Sequence, residues 1–149
     1  MELRKALFGL CLAYADARIA AAQEAMQQAQ EAANAEEKSS AGDKFETGRA
    51  MAHLEKEKAA AQVAAGNKLK EILNKINPTQ PTAKAALGSI VYTNIGNFYL
   101  AISAGKLVVE GKEYLAVSPA SPIGLQLMGS KVGDRINFQN KLVVILMLE

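Results

Sequence analysis

Two carboxylates three residues apart are the side chains of this chain best suited to chemistry. Asp43 and Glu46 stand in the segment Gly42-Asp-Lys-Phe-Glu46, between two long stretches of helical pattern. Carboxylate oxygens are the hard ligands that Mg²⁺ prefers, but Mg²⁺ needs a nearly octahedral shell and is seldom held by two carboxylates alone. The pair therefore suits a Mg²⁺ ion that is shared with a partner, and no cofactor is expected on the isolated chain.

The same spacing also has a purely structural interpretation. An Asp at the N-cap of a helix, followed three residues later by Glu, satisfies free backbone N–H groups and the positive end of the helix dipole. On the local pattern of Asp43 and Glu46 alone, the capping interpretation is favoured over the metal site, and both interpretations stay open.

Long helical patterns flank the two carboxylates. Residues 3–37 lack Pro and are rich in Ala, Gln and Glu, and a second helical run extends from about Phe45 to Ile76. Apolar residues recur there at steps of three and four, as expected for a buried helical stripe. The predicted stripes are Leu3, Leu7, Leu10, Tyr14, Ala17, Ala21, Ala22, Met26, Ala29 and Ala33, then Met51, Leu54, Ala61, Ala65, Leu69, Ile72 and Ile76.

Turn residues separate the two helical runs, which indicates an antiparallel hairpin over residues 1–76 with its tip near 38–46. The many Ala residues of the stripe allow the helices to approach closely. Pro78 and Pro81 then stop the second helix and mark a linker over 77–82.

The pattern changes to short strands after the linker. Segments rich in β-branched and aromatic residues are separated by Gly and Asn, as in a series of hairpins. Strands are predicted at 88–94, 97–103, 106–109, 113–117, 131–138 and 142–148, with one short helix between 119 and 128. The fold class is therefore α+β: a long helical hairpin, then a small, mostly antiparallel β domain over 83–149.

Composition limits the possible functions. The chain has 149 residues, and its 17 Lys and Arg residues exceed its 15 Asp and Glu residues by only two, which argues against direct binding to nucleic-acid phosphates. Cys11 is the only cysteine, so no disulfide forms within the chain, and a small buried apolar role is expected for it. The apolar run Leu142 to Leu148 is far too short to span a membrane.

A second motif lies in the β-rich part. Ser121-Pro-Ile-Gly124 begins the short helix, Leu127 and Gly129 follow, and Lys131, Gly133 and Asp134 lead into a strand. Pro suits the first turn of a helix, so a helix-start role for this segment stands beside a partner-binding role. In order and spacing, the Gly42–Glu46 segment and this motif together resemble the Gre family of transcript cleavage factors.

This resemblance implies a fold and a function. Gre factors have an N-terminal antiparallel coiled coil and an FKBP-like C-terminal domain, and they bind RNA polymerase through its secondary channel. On this resemblance, Asp43 and Glu46 would be catalytic residues that help the polymerase to cleave backtracked RNA, holding a Mg²⁺ shared with it. Ser121, Pro122, Ile123 and Gly124 would contact the polymerase.

The resemblance also implies how the chain acts and where. It would be an accessory factor rather than an enzyme, a cytoplasmic monomer that touches nascent RNA only indirectly and no membrane. Three alternatives stay open: a secondary-channel inhibitor of the same architecture, an FKBP-like prolyl isomerase, and a coiled-coil interaction protein without a polymerase role. The isomerase is disfavoured because only eight residues are aromatic and none is Trp, so an apolar proline pocket is hard to build.

Overall fold

A computed structural model describes residues 2–37, 42–77 and 83–149, and the side chains of 36–46 are not among the described atoms. Of the predicted hairpin tip, 38–46, residues 38–41 lie outside the described residues, and the rest of the tip is described by its backbone alone. The linker residues Pro78 and Pro81 also lie outside the described residues. The chain forms two compact units. One combines Met1–Tyr14 with Lys70–Glu149, and the other is Ala15–Leu69. The predicted boundaries of 1–76, 77–82 and 83–149 stay a prediction.

Two long helices supply the unit Ala15–Leu69. Helix α1 covers Glu2–Glu37 and helix α2 covers Gly42–Asn74. The Lys56 ammonium donates to Gln30 Oε1 at 2.7 Å, and Gly66 lies against Ile19. Residues later in α2 thus meet residues earlier in α1, which makes the pair antiparallel, as predicted.

Small residues line the seam of this helical pair. Ala15, Ala22 and Ala29 of α1 are buried at intervals of seven, as are Ala52, Ala59 and Gly66 of α2. A strict seven-residue repeat is the pattern of a coiled coil, and small side chains bring two helix backbones close together. The predicted coiled coil is therefore present, with an Ala and Gly seam.

The residues predicted to form the buried stripes of the two helices were partly wrong. Ala22, Ala29 and Ala33 are buried as predicted, but Leu10, Met51 and Leu54 are exposed by 39%, 63% and 65%. Ala17, Ala21, Ala61 and Ala65 are exposed as well. The prediction followed the larger apolar side chains, whereas the close seam admits mainly the small ones and leaves Met51 and Leu54 outside it.

The unit that combines Met1–Tyr14 with Lys70–Glu149 is called the β unit below, and it is built on one six-stranded sheet. Its strands are β1 Ile90–Thr93, β2 Gly96–Leu100, β3 Gly105–Val109, β4 Lys112–Val117, β5 Arg135–Phe138 and β6 Lys141–Leu148, in the spatial order β3-β4-β2-β1-β6-β5. A short helix, α3, covers Pro122–Leu127. The α+β class is confirmed. The sheet is mixed because β2 and β4 pair in parallel, with Phe98 opposite Leu115, while the other pairs are antiparallel.

Two tight turns fix the hairpins of this sheet. Glu110 and Gly111 join β3 to β4, and Gln139 and Asn140 join β5 to β6, all four with positive φ between 50° and 78°. Two consecutive residues of positive φ form the turn that matches the natural twist of paired strands. The last hairpin begins at Arg135 rather than at the predicted Lys131, because Lys131–Asp134 form a turn.

The sheet has a core on each face. The face toward α3 buries one cluster of apolar side chains: Ala85, Val91, Phe98, Leu100, Val117, Leu127 and Ile145. The opposite face carries the fully buried Tyr99, next to Cys11 and Arg4 of the first turns of α1. Arg4 Nε donates to Gly88 O at 3.2 Å, and its Nη2 donates to Asn77 O at 3.1 Å. The start of α1 is therefore part of the β unit.

No helix among residues 2–37, 42–77 and 83–149 is long and apolar enough to cross a membrane.

Candidate functional site

The predicted metal ligands lie at the start of α2. That helix begins at Gly42, slightly before the predicted start near Phe45, so Asp43 and Glu46 fall in its first two turns. The positive end of the helix dipole stabilises carboxylates there. Because the helix already includes Gly42 and Asp43, Asp43 is not its N-cap residue, and that part of the capping interpretation was wrong. The side chains of Asp43 and Glu46 lie outside the described atoms, so the shared Mg²⁺ stays a prediction. Among the residues that are described, no three His, Cys, Asp or Glu residues come together to hold a metal ion.

The predicted partner-binding residues begin α3. Ser121 is the N-cap: its Oγ accepts from the Gly124 N–H at 3.1 Å and donates to Ser118 O at 2.6 Å. Pro122 follows in the first turn and is exposed. This is the helix-start arrangement that the sequence predicted, because a capping hydroxyl satisfies a backbone N–H that the helix leaves free.

Gly124 is required by a close backbone approach. A Cβ at this position would stand 1.9 Å from Ser118 O and 2.8 Å from Ser121 Oγ. No side chain fits at such distances, so α3 can lie against the Ser118–Ser121 turn only with Gly at 124. The start of α3 thus explains the residue types at Ser121, Pro122 and Gly124 without reference to a partner.

Two large apolar residues of α3 differ in their burial. Leu127 is fully buried in the core cluster, whereas Ile123 is half-buried and packs against the edge of that cluster. Ile123 therefore contributes to the fold and also presents part of its side chain to solvent.

Three apolar side chains that follow the Ser121–Gly124 segment are exposed. Leu125, Met128 and Val132 are exposed by 65%, 39% and 60%. These three residues are called the α3 patch below. Exposed apolar groups of this size often mark a protein–protein contact when they lie together. These three residues were not predicted from the sequence. Leu125 and Met128 stand three apart and off the Leu127 face, and that spacing would have identified them.

The Gly133-Asp134 turn fastens α3 to the sheet. Asp134 Oδ2 accepts from the Lys131 N–H at 2.8 Å, and the Asp134 N–H donates to Lys131 O at 3.0 Å. Gly133, with φ of 92°, donates to Ile145 O at 2.8 Å, and the Ile145 N–H donates to Asp134 O at 2.9 Å. The turn therefore holds the chain after α3 against β6 and fixes where the α3 patch lies in this unit.

Comparisons with known proteins give distant structural neighbours. No protein-family model matches the chain, and no curated protein matches it. The structure is similar to that of GreA factor homolog 1 (Gfh1) of Thermus thermophilus, with 19% identity, a TM-score of 0.38, and coverage of 93% of this chain and 94% of that one. A structure of the transcription factor Gfh1 has 19% identity and a TM-score of 0.34, covering 95% of this chain and 92% of that one. At such TM-scores, the likeness carries no argument about function.

Proposed function

We propose that this chain is a Gre-like transcription elongation factor, which binds RNA polymerase through its secondary channel and stimulates cleavage of backtracked RNA. The observation that carries the proposal is the order of its two motifs along the chain. Gly42-Asp43 and Glu46 begin the second helix of an antiparallel pair, and Ser121-Pro-Ile-Gly124 begins a helix on a following β unit. The Gre family has both features in this order.

The lengths of the helices support the proposal. Helix α1 has 36 residues and α2 has 33, so each spans about 50 Å at 1.5 Å per residue. Helices of this length are suited to place a few residues deep inside a channel. The Ala and Gly seam keeps the pair thin, since small side chains allow a short distance between helix axes.

Each motif has its own role in the proposal. Asp43 and Glu46 supply carboxylate oxygens to a Mg²⁺ held jointly with the polymerase, and they orient the attacking water. When held there, such an ion would stabilise charge on the scissile phosphate and lower the pKa of that water. Two carboxylates near one helix end fit such a shared ion, because the polymerase and water complete its shell. The α3 patch contacts the polymerase, with Pro122 and the exposed part of Ile123 beside it.

One observation favours the inhibitor of the same architecture. Lys44 stands between the two carboxylates in sequence, and Arg49 follows Glu46 by three residues. These cations lower the negative charge near Asp43 and Glu46 and so weaken attraction for Mg²⁺. An inhibitor enters the same channel without stimulating cleavage.

The prolyl isomerase has less support. A cavity of about 550 Å³ in the β unit is lined by three Glu residues, one Lys and two Tyr, with four apolar residues beside them. An uncharged proline ring gains little beside the three Glu residues, because their carboxylates would lose water without gaining a partner.

Cleavage of RNA in stalled, backtracked polymerase complexes tests the role of the carboxylates. Asp43→Asn and Glu46→Gln remove charge but keep size, and each should slow cleavage by about tenfold or more, or about 1.4 kcal/mol of transition-state stabilisation. Glu57→Gln, at an exposed position farther along α2, is the matched control and should leave the rate unchanged. Equal rates for wild type and Asp43→Asn exclude the metal role, and absence of cleavage with wild type identifies an inhibitor.

Polymerase capture tests the docking role separately. Leu125→Ser in the α3 patch should weaken binding about tenfold, as expected for loss of one well-placed apolar contact. Leu146→Ser, exposed by 56% on β6 outside the patch, should bind normally. If neither the wild type nor the variants bind polymerase, the chain is a coiled-coil interaction protein of another kind.

A further inference from the structure

The cavity of about 550 Å³ lies on the sheet face opposite α3, between the first turn of α1 and the sheet. Tyr92 and Tyr114 form one wall. Their rings meet edge to face at a centroid distance of 6.4 Å and an angle of 80°. The volume is within the usual range of about 300–1,000 Å³ for ligand sites. The polymerase role proposed above uses none of these residues.

The polar groups of this cavity are mainly anionic. Among the described residues that line it, Glu2, Glu110 and Glu149 are anionic and Lys112 is the one cation. Arg4, on the same turn of α1 as Glu2, is buried and donates to the carbonyls of Gly88 and Asn77 instead. The cavity therefore carries an excess of two negative charges among its lining groups, which favours a cationic ligand over a neutral or anionic one.

Glu149 is held in place within the cavity. The Tyr92 hydroxyl donates to Glu149 Oε2 at 2.7 Å, and the Glu149 backbone exchanges two hydrogen bonds with Ile90, at 2.8 and 2.9 Å. A carboxylate has room for about four hydrogen bonds, so this one can accept more from a ligand. Burial of the ring, followed by the effect of the adjacent Glu149 carboxylate, raises the pKa of Tyr92, so the phenol stays a donor.

The remaining walls are apolar. Leu3 and Ala6 of α1 face the cavity, as do Val109 and Met147 of the sheet. A ligand that fits all of these walls has an aliphatic stem and a cationic end. Lysine and arginine side chains combine these two parts, and their cations are attracted by tyrosine rings.

We infer that this cavity binds the side chain of a lysine or arginine from a protein partner. The stem lies along Leu3 and Met147, and the cation meets Glu149 beside the two tyrosine rings. This inference does not depend on the polymerase role, because the site lies on the other face of the sheet from the α3 patch.

Nuclear magnetic resonance on the full chain tests the inference, with the ¹³C-labelled methyl group of Met147 as the reporter. The probes are the peptides Ala-Lys-Ala and Ala-Arg-Ala with blocked ends, and Ala-norleucine-Ala, which has the stem of lysine without its charge. Saturable shifts of the Met147 signal with the two cationic peptides are expected, and the norleucine peptide should bind at least about tenfold more weakly. Equal binding of the norleucine peptide, or no saturable shift, would overturn the inference.

Single substitutions identify the side chain that binds the cation. Glu149→Gln should weaken the binding of Ala-Arg-Ala about tenfold, and Tyr92→Phe should weaken it less, since the ring stays and only the orienting hydroxyl is lost. Glu113→Gln is the matched control: it removes an exposed carboxylate outside the cavity and should change nothing. An effect of Glu113→Gln as large as that of Glu149→Gln would show that only net charge matters and would overturn the site.

Spermidine is a further probe, and tighter binding of spermidine than of both peptides would overturn the assignment to a protein side chain.

Discussion

Single residues of the α3 motif act first on the backbone. Ser121 caps the helix, Gly124 permits its contact with Ser118, and Gly133 and Asp134 fasten the following turn to β6. The sequence alone could predict the cap and the turn, because both follow from local chemistry. It could not predict the contact of Gly124, since that depends on where the Ser118 carbonyl lies in space.

Replacing Gly124 by Ala should destabilise the β unit strongly. The added Cβ would meet Ser118 O at 1.9 Å, so α3 must move, and we expect a loss of about 3 kcal/mol in the free energy of unfolding. Urea unfolding followed by circular dichroism measures this loss. Gly9→Ala is the control: nothing lies within 4 Å of its added Cβ, and it should stabilise α1 by about 0.5–1 kcal/mol. Similar stability of the two variants would contradict the close approach.

The buried Cys11 thiol should make stability depend on alkaline pH. Burial raises its pKa from 9.0 to about 11, although contact with the Ile102 backbone lowers it in part. Between these two pH values the unfolded thiol ionises while the folded thiol keeps its proton. Unfolding then releases a proton, so stability falls with rising pH, by at most about 3 kcal/mol from this group, and is unaffected by it below pH 9.

The comparison of wild type with Cys11→Ala isolates the thiol. Unfolding free energies measured from pH 8 to pH 11 should converge as the pH rises, because only the wild type has the ionising group. Burial also raises the pKa of Tyr99, which acts in the same direction in both proteins. A constant difference across this range would show that the thiol has no linked ionisation.

At the scale of elements, the sequence predicted the helices and strands well and the helical seam poorly. The six strands and the short helix fall where β-branched segments, Gly and Pro placed them. The seam was predicted from Leu10, Met51 and Leu54, which are exposed. Large apolar residues usually mark the buried face of a helix. Here the seven-residue spacing of Ala52, Ala59 and Gly66 was the better signal, because a close helix pair selects for small size.

Gly66→Ala tests this close packing. The new Cβ would lie 2.5 Å from Ile19 Cγ1, an atom near the backbone of a stiff β-branched side chain. The steric cost should exceed the gain in helix propensity, with a net loss of about 1 kcal/mol. Thermal unfolding followed by circular dichroism at 222 nm measures it.

A double-mutant cycle with Ile19→Ala gives the control for this prediction. Shortening Ile19 removes the clash, so Gly66→Ala should become neutral or stabilising in that background, with a coupling energy of about 1–2 kcal/mol. Additive effects of the two substitutions would mean that these residues do not meet.

At the scale of the whole molecule, one compact unit is assembled from distant parts of the chain. Met1–Tyr14 and Lys70–Glu149 pack together, with Leu7, Cys11 and Leu73 fully buried. The sequence predicted a boundary at the Pro linker, because composition changes there. The contacts of the first helical turns with the sheet depend on long-range packing, which local patterns do not report.

Arg4→Met should destabilise the β unit although Arg4 lies in α1. Its side chain is 4% exposed and donates to the carbonyls of Gly88 and Asn77, so its loss leaves two acceptors without this donor. We expect a cost of about 1.5–3 kcal/mol, the usual range for hydrogen bonds to a charged group. Faster hydrogen exchange of the Ile145 amide in β6 would report it, and Lys5→Met, at an exposed position, should leave that rate unchanged. An unchanged exchange rate in Arg4→Met would show that these hydrogen bonds of α1 do not stabilise the sheet.

The assembly of the β unit from two distant parts of the chain affects how the protein folds during synthesis. Arg4 leaves the ribosome 84 residues before Gly88, which is a delay of roughly 4–17 s at about 5–20 residues per second. During that interval Leu7 and Cys11 have no sheet to cover them. The last strand, β6, must also emerge before the core around Ile145 can close. The β unit therefore cannot fold before β6 has emerged from the ribosome, and until then the nascent chain carries an apolar helix start that chaperones can recognise.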